Sequence, residues 1–283
     1  MKPLRQQMIN AMVLRGLAPE TQKTYLYWVS DFAKHYHRSP SQLDASHLEQ
    51  YLLFLIKSRH LSANTVRVSL NAIHFLFVKV LARPAYRFKI AYPKRPLRIP
   101  DLLTQEEVHQ ILACCNNKKH HAMLCTCYGA GLRVSELVAL EVRNIDSACH
   151  VLHVKQGKGA QDREVPLSDG LLKELRRYWY DYRPHKRLFK GVNIDQGLSI
   201  SSAQKVFMRS KAQSQIHKRG GIHSLRHAYA THQLEDGMPI HQLQRLLGHS
   251  NIQSTLRYTH WTPGYEEGQT GADLLARLEP ANE

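Results

Sequence analysis

Apolar residues in the first hundred positions recur at helical spacing, interrupted by short polar breaks. After Pro19, large apolar residues follow one another at steps of three and four: Tyr25, Trp28, Val29, Phe32 and Tyr36. Asp44 stands as the N-cap of a second helix, and Ser62 and Asn64 precede a third. The apolar faces of these helices are Leu48, Tyr51, Leu52, Leu55 and Ile56, then Val66, Leu70, Ile73, Phe77 and Val80. The pattern predicts a bundle of three or four short helices.

The pattern after residue 100 is also mostly helical, with one interruption. Thr104 and Glu107 form a capping box ahead of a helix over 107–115. Residues 150–156 and 163–167 instead alternate as strands around a glycine-containing turn, which indicates a β-hairpin. Further helices are predicted over 121–128, 134–140, 171–180, 201–213, 225–235, 240–247 and 252–258. The fold class is therefore mainly α with a small antiparallel β element.

Proline and basic residues mark a boundary between these two parts. Residues 83–101 contain Pro84, Pro93, Pro96 and Pro100 among several lysines and arginines, a composition that resists both helix formation and core packing. We interpret the segment as a basic linker between a domain over 1–82 and a second domain over 102–283. The linker follows a phosphate backbone or is simply a solvated run of charge.

The charge of the chain points to a polyanionic partner. Lys and Arg number 39 against 23 Asp and Glu, a net charge of +16, and most of the excess lies in the first hundred residues. The 43% apolar content excludes a disordered chain. We expect double-stranded DNA as the partner. No membrane span and no signal peptide are predicted, so we expect a cytoplasmic, nucleoid-associated protein.

The cysteines and histidines do not form a recognisable metal motif. Five cysteines crowd into positions 114–149, an odd number that makes a poor disulfide framework, so we expect reduced thiols. Zinc binding by Cys114, Cys115, Cys125 and Cys127 lacks the usual C-x2-C spacing. His223 and His227 lie four residues apart, with no carboxylate or cysteine clearly paired with them. We predict no metal and no other cofactor.

Four short strings hold residues whose chemistry fits a phosphodiester. The strings are GLRVSEL with Arg133, GKGAQD with Lys158, HSLRHAYATH with His223 and Arg226, and LLGHSNIQSTLRYTH with His249 and Tyr258. Each alone also fits an ordinary surface or core residue. Together they supply arginines to hold phosphate oxygens, a tyrosine nucleophile, histidines to take its proton and a lysine to protonate the leaving oxygen.

These strings, in this order, resemble those of the tyrosine recombinases, also called the phage integrase family. All six positions are filled. The resemblance implies a helical core-binding domain of SAM-like type, joined to an α-rich catalytic domain over 102–283. It also implies a site-specific recombinase that cuts and rejoins DNA through a 3′-phosphotyrosine without metal or ATP. Four protomers would hold two DNA sites. Lys155 remains a competitor of Lys158 for the role of the lysine.

The resemblance leaves several alternatives open. A type IB topoisomerase-like enzyme shares this chemistry but reseals the same strand, and a DNA-binding protein without catalysis could keep the same fold. Integration, excision, transposition, integron capture and chromosome-dimer resolution all use such a catalytic core. The chain has no obvious insertion between His223 and Tyr258, which weakens the integron subtype and favours a simple, Xer-like enzyme. Residues 271–278 form an apolar helical face that docks either on a neighbouring protomer or on its own domain.

Overall fold

The computed structural model of the protein describes residues 2–84, 100–155, 162–191 and 197–262. The chain divides into two compact units, Met1–Arg98 and Ile99–Glu283. Most of the predicted linker lies outside the described residues, as does the C-terminal segment 271–278. Within the described part of the chain, no helix combines the length and the apolar character that a membrane crossing requires.

The described part of the first unit contains four α-helices and a short 3-10 helix at Pro40–Gln42. The α-helices are α1 (Lys2–Leu14), α2 (Pro19–Tyr36), α3 (Ala45–Lys57) and α4 (Ala63–Phe75), and α4 continues into a π-helical turn over Leu76–Val80. The predicted caps are confirmed, because Asp44 accepts a hydrogen bond from the backbone N–H of His47 and Ser62 accepts one from Thr65. These bonds satisfy N–H groups that a helix start leaves without a partner.

Three of the helices build the core of this unit. Trp28 and Phe32 from α2 pack with Leu48 and Tyr51 from α3, and α4 adds Val66, Leu70 and Ile73. The prediction that Ile56 belongs to the apolar face of α3 is wrong, because this residue is 42% exposed. The helix α1 was not predicted; it buries Met8 and Met12 against Leu76 and forms a separate apolar cluster.

The second unit is also mainly helical. Its helices are α5 (Gln105–Ala113), α6 (Lys118–Gly129), α7 (Val134–Ala139), α8 (Asp169–Tyr182), α9 (Ile200–Gln213), α10 (His223–Glu235), α11 (Ile240–Leu247) and α12 (Gln253–Thr259). The capping box of Thr104 and Glu107 is present at the start of α5. Gly237 and Gly248 follow α10 and α11 with φ angles of 80° and 62°, which explains why these helices stop there.

A small antiparallel sheet lies between α7 and α8 in the sequence. Its strands are β1 (Ile145–Asp146), β2 (Val151–Val154) and β3 (Arg163–Pro166), in the order β1-β2-β3. Leu152 is opposite Val165 and Val154 is opposite Arg163. The predicted hairpin is therefore confirmed as β2 and β3, whereas the two-residue strand β1 was not expected. The tip of the hairpin, residues 156–161, lies outside the described residues.

The apolar core of the second unit supports the helices that hold the candidate site. Leu225, Ala228 and Tyr229 of α10 are buried in this core, together with Leu243 and Leu247 of α11. Because α10 is buried on most of its surface, a polar side chain on it needs partners inside the protein. Arg226 is such a side chain, and its partners define the site described next.

Candidate active site

Arg133 follows a tight turn that only glycine can make at this position. Gly131 has a φ of +58°, and a Cβ atom on it would come within 2.4 Å of the ring of Tyr229. The turn leads Arg133 to the N-cap position of α7. From there its guanidinium donates hydrogen bonds to Glu136 Oε1 at 2.7 Å and to the carbonyl oxygen of Gly248 at 2.9 Å.

Glu136 is a buried carboxylate that is bound by several arginines. Arg163 on β3 donates to both of its oxygens, at 2.9 and 2.8 Å, and Arg133 bonds it through its backbone and its side chain. Arg226 Nη1 lies 3.7 Å away. Burial disfavours the charged form, but the bonds from Arg163 and Arg133 lower the pKa of Glu136 to about 2. The carboxylate therefore holds the arginines in place.

Arg226 is the most deeply buried cation of the site, with 1% of its surface exposed. It donates hydrogen bonds to the carbonyl oxygens of Gly131 at 2.8 Å and Leu247 at 2.6 Å. Burial, followed by the charge of Arg133, lowers the pKa of Arg226 to about 10, so the guanidinium stays protonated at neutral pH. The side chain thus ties the turn before α7 to the end of α11.

His249 lies between Arg226 and the start of α12. Its Nε2 accepts a hydrogen bond from Arg226 Nη2 at 3.0 Å, because an arginine can only donate. Its Nδ1 must then carry the proton, which it donates to Thr255 Oγ1 at 2.9 Å. Burial and the nearby arginines lower the pKa of His249 to about 4, so the ring is neutral. These two bonds fix the orientation of the imidazole.

Tyr258 lies on α12 with 3% of its surface exposed. Its ring is parallel to that of His249, with the centroids 6.5 Å apart, and packs edge-on against Trp261. Burial raises the pKa of Tyr258 above its ordinary value, and the charges of Arg226, Arg257 and Arg133 offset part of that rise. The hydroxyl forms a hydrogen bond of 2.9 Å with His227 Nδ1.

His223 and His227 occupy successive turns of α10 and face the same way. Their ring centroids are 4.6 Å apart, with the rings nearly perpendicular. His223 is exposed, whereas His227 is partly buried between His223, Tyr258 and Trp261. Five of the six predicted site residues thus come together through direct contacts or one shared neighbour: Arg133, His223, Arg226, His249 and Tyr258.

The two candidate lysines differ in how much the structure says about them. Lys158 lies outside the described residues. Lys155 directly follows β2, is exposed, and lines a cleft together with Arg133 and His249. The same cleft is lined by Arg163 and Arg245. The choice between Lys155 and Lys158 therefore stays a prediction.

The charges in this cluster favour an anionic ligand. Arg133, Arg163 and Arg226 surround the single carboxylate of Glu136, so two positive charges remain after it is neutralised. The histidines His227 and His249 have pKa values near 4 and add no charge at neutral pH. A phosphodiester carries one negative charge at rest and more in its transition state, which suits such a site.

One group in the second unit has the donor types of a metal site. His121 Nδ1 lies 3.6 Å from Cys125 Sγ and 3.3 Å from Glu174 Oε2. Three protein ligands are fewer than a structural zinc site uses, although catalytic zinc sites have this number. Glu174, however, is already paired with Arg177 at 2.6 Å. Elsewhere in this unit, Glu136 is not available as a metal ligand either, because both of its oxygens accept hydrogen bonds from Arg163. We therefore interpret the His121 group as a hydrogen-bonded ionic cluster.

Sequence reasoning did not single out three residues of this site. Glu136 stands in the same GLRVSEL string as Arg133, and its position three residues later on a helix is the signal that could have identified it. His227 directly follows Arg226, but its contact with Tyr258 depends on how α10 packs on α12. Arg163 gave no local signal, because its partner Glu136 lies 27 residues earlier.

Comparison with known protein families agrees with the resemblance found in the sequence. Residues 101–264 match the Phage integrase family, and residues 4–86 match the N-terminal SAM-like domain of phage integrases. Each match lies within one of the two compact units of the structure.

Individual proteins show the same relationship. The chain is 38% identical to the protein y4qK of Sinorhizobium fredii over 259 residues, 91% of this chain and 84% of that protein. It is 34% identical to the tyrosine recombinase XerA of Pyrococcus horikoshii over 256 residues, 88% of this chain and 86% of XerA. A lambda integrase tetramer bound to a Holliday junction has the same fold, with a TM-score of 0.74 at 17% identity over 89% of this chain and 77% of that one. The chain therefore belongs to the phage integrase family, the tyrosine recombinases.

Proposed function

We propose that the protein is a site-specific DNA recombinase in which Tyr258 attacks a phosphodiester of DNA. The observation that carries this proposal is the position of the Tyr258 ring. It is stacked on His249, which is hydrogen-bonded to the buried cation Arg226. A nucleophile thus lies beside an anion-binding group inside one cluster. Family membership supports the same reaction.

The proposed clamp consists of Arg133 and Arg226. A phosphodiester repels nucleophiles because it is an anion, so catalysis depends on positive groups fixed where charge develops. Glu136 and the carbonyl oxygens of Gly131, Leu247 and Gly248 hold these two guanidinium groups before DNA arrives. Such preorganisation lowers the cost of arranging the site during the reaction.

The proposed bond changes are those of a transesterification. The bond from Tyr258 Oη to phosphorus forms as the bond from phosphorus to the 5′-oxygen breaks, which leaves the DNA as a 3′-phosphotyrosine. Lys158, or Lys155 in its place, protonates the leaving 5′-oxygen. Because one ester replaces another, the energy of the original bond is kept, and a 5′-hydroxyl of another strand can reverse the step. The reaction therefore requires no ATP.

The first unit is proposed to grip the DNA. Residues 1–100 hold 16 Lys and Arg against 4 Asp and Glu, an excess of +12 that suits a phosphate backbone. The second domain, over 102–283 by our prediction, would hold the scissile phosphate. The domain boundaries 1–82, 83–101 and 102–283 are part of this proposal, and so is the association of the protein with the nucleoid.

We also propose that four protomers act together on two DNA sites. Strand exchange between two duplexes requires four cleavage events, and each protomer supplies one Tyr258. The lambda integrase with the same fold has been seen as a tetramer on a Holliday junction. Crosslinking of the protein on its DNA should yield tetramers that disappear without DNA.

The experiment that tests the proposal is recovery and sequencing of DNA covalently attached to the protein in cells. The wild-type chain should give adducts clustered at a few sequences, whereas Tyr258→Phe should bind the same sequences without forming adducts. Adducts scattered over the genome would favour a relaxing enzyme of the topoisomerase kind. Wild-type chains that occupy specific sequences without any adduct would favour a DNA-binding protein without catalysis.

A further inference from the structure

The hydroxyl of Tyr258 has a hydrogen-bond partner that is not among the six residues proposed above. His227 Nδ1 lies 2.9 Å from Tyr258 Oη. The contact joins two helices, because His227 lies on α10 directly after Arg226 and Tyr258 lies on α12. The distance is within the range over which a proton passes between an acid and a base.

His249 is poorly placed to take the proton of Tyr258. Its Nε2 lone pair accepts the hydrogen bond from Arg226, and its Nδ1 proton is donated to Thr255. The ring is parallel to that of Tyr258, at a centroid distance of 6.5 Å and an interplanar angle of 6°. Both nitrogens of His249 are therefore engaged with groups other than the tyrosine hydroxyl.

His223 packs against His227, which in turn contacts Tyr258. Its ring packs edge-on against His227, with the centroids 4.6 Å apart, and its side chain is exposed to solvent. His223 is thus placed to contact a bound phosphate.

In the site without DNA, the tyrosine carries a proton and the histidine has a nitrogen that is able to accept one. The pKa of His227 is lowered to about 4, mainly by burial of the ring. The charges of His223, Arg226 and Arg257 lower it further. The ring is therefore neutral and keeps a lone pair. Burial also raises the pKa of Tyr258, so its hydroxyl keeps the proton that must leave when the oxygen attacks phosphorus.

We propose that His227 takes the phenolic proton of Tyr258 during the attack on DNA. This inference rests on the proposed function, since it assigns a step of that reaction. The Oη–H bond breaks and the proton moves to His227 Nδ1, while the bond from Oη to phosphorus forms and the 5′-oxygen leaves with a proton from the lysine. When the strand is rejoined, the imidazolium of His227 returns the proton to the tyrosine oxygen.

The surroundings of His227 couple this transfer to the presence of DNA. The titratable and charged groups near its ring are His223, Arg226, Arg257 and Tyr258. The arginines repel a proton on His227 while the site is empty. A bound phosphodiester neutralises part of that repulsion, which makes an imidazolium easier to form. A bound phosphate therefore favours transfer of the Tyr258 proton to His227.

The experiment compares His227→Gln and His227→Ala in single-turnover adduct formation on the duplex recovered by adduct sequencing. Glutamine can accept a hydrogen bond but cannot take a proton, so it separates proton transfer from positioning. Both variants should lose on the order of 10²-fold or more in rate at neutral pH. Their rates should rise with pH as hydroxide removes the phenolic proton instead. A wild-type rate for His227→Gln would overturn the proposal, and His109→Gln on the exposed face of α5 is the matched control.

A modified DNA distinguishes this role from that of the lysine. If sulfur replaces the 5′-oxygen at the cleavage site, the leaving thiolate needs no proton, because a thiol has a pKa of about 8.5. This substrate should rescue a variant of the protonating lysine and should leave His227→Gln impaired. Rescue of His227→Gln would overturn the proposal. Adducts that persist in Tyr258→Phe would instead overturn the proposed function itself.

A measurement without DNA tests the hydrogen bond on which the proposal rests. In the full chain with ¹⁵N-labelled histidine, His227 should show an unprotonated Nδ1 and a protonated Nε2. The Nδ1 signal should shift in Tyr258→Phe, whereas His109→Gln should leave it unchanged. A proton on Nδ1 of His227 in the wild-type chain would contradict the proposal, because the nitrogen would then have no lone pair to offer.

Discussion

Arg163 and Glu136 form a buried ion pair with two hydrogen bonds, from Nη1 to Oε1 at 2.9 Å and from Nη2 to Oε2 at 2.8 Å. Arg163 Nε also donates to the carbonyl oxygen of Leu246 at 2.6 Å. The pair therefore joins β3 to α7 and to the end of α11. Because Glu136 also holds Arg133, the position of the phosphate clamp depends on this pair.

We expect Glu136→Gln to lower the free energy of unfolding at neutral pH and to have a smaller effect at acidic pH. The folded pKa of Glu136 is about 2, below the value of about 4.3 for an unfolded glutamate, so its contribution is present above pH 4.3 and lost as pH falls toward 2. The difference corresponds to about 3 kcal/mol of the free energy of unfolding at neutral pH. Urea denaturation at several pH values measures it.

The matched control for that variant is Glu49→Gln, which changes an exposed glutamate of α3. It should alter the free energy of unfolding by less than about 0.5 kcal/mol. An equal loss in the two variants, or a loss in Glu136→Gln that does not shrink on acidification, would show that the buried pair is not responsible.

Gly131→Ala should disturb the turn that carries Arg133. The added Cβ would lie 2.4 Å from the ring of Tyr229, and the φ of +58° strains any residue other than glycine. We expect a loss of roughly 1 to 3 kcal/mol in stability together with slower cleavage. Gly16→Ala is the control, because Gly16 has a φ of +66° but no atom within 4 Å of an added Cβ. Calorimetry should show the smaller effect for Gly16→Ala, and equal effects would contradict the role of Tyr229.

Arg226→Lys should impair cleavage more than DNA binding. Lysine keeps the positive charge but lacks the forked shape of the guanidinium. It therefore cannot donate hydrogen bonds to all three present partners, the carbonyl oxygens of Gly131 and Leu247 and the ring of His249. We expect single-turnover cleavage to fall by about 10²- to 10³-fold, by analogy with the loss of one transition-state donor. Arg176→Lys on the exposed face of α8 is the control. A proportional loss of DNA affinity would show that Arg226 acts in binding alone.

The protonating lysine can be identified with the sulfur-containing DNA described above. Lys158→Ala should lose on the order of 10²-fold or more on ordinary DNA and recover on the sulfur-containing substrate. Lys155→Ala, which changes a residue that lines the cleft, should lose little on either substrate. If instead Lys155→Ala is slow on ordinary DNA and recovers on the sulfur-containing substrate, Lys155 is the residue that protonates the leaving oxygen.

Local signals in the sequence predicted most helices of the fold. The N-caps Asp44, Ser62 and Thr104 and the spacing of the apolar residues depend on neighbours within a few positions, and the structure confirms them. One α-helix and one strand of the described residues were missed. The strand β1 is two residues long, too short for an alternating pattern, and α1 buries Met8 and Met12 against Leu76, which lies far along the chain.

The candidate site was predictable only where a residue stands in a recognisable string. Arg133, Arg226, His249 and Tyr258 were chosen in this way, and the structure brings them into one cluster. The partners of these residues were not predictable, because they come from other elements. Tyr258 meets His227 only through the packing of α10 on α12, and Glu136 meets Arg163 only through the position of β3 beside α7.

The most direct test of the account is to identify the amino acid that is joined to DNA. Adducts of the wild-type protein would be trimmed with nuclease, digested with protease and analysed by mass spectrometry. The account predicts a nucleotide attached through a 3′-phosphate to Tyr258 and to no other residue. A nucleotide on a different tyrosine, or on a serine, would contradict the assignment of Tyr258 as the nucleophile.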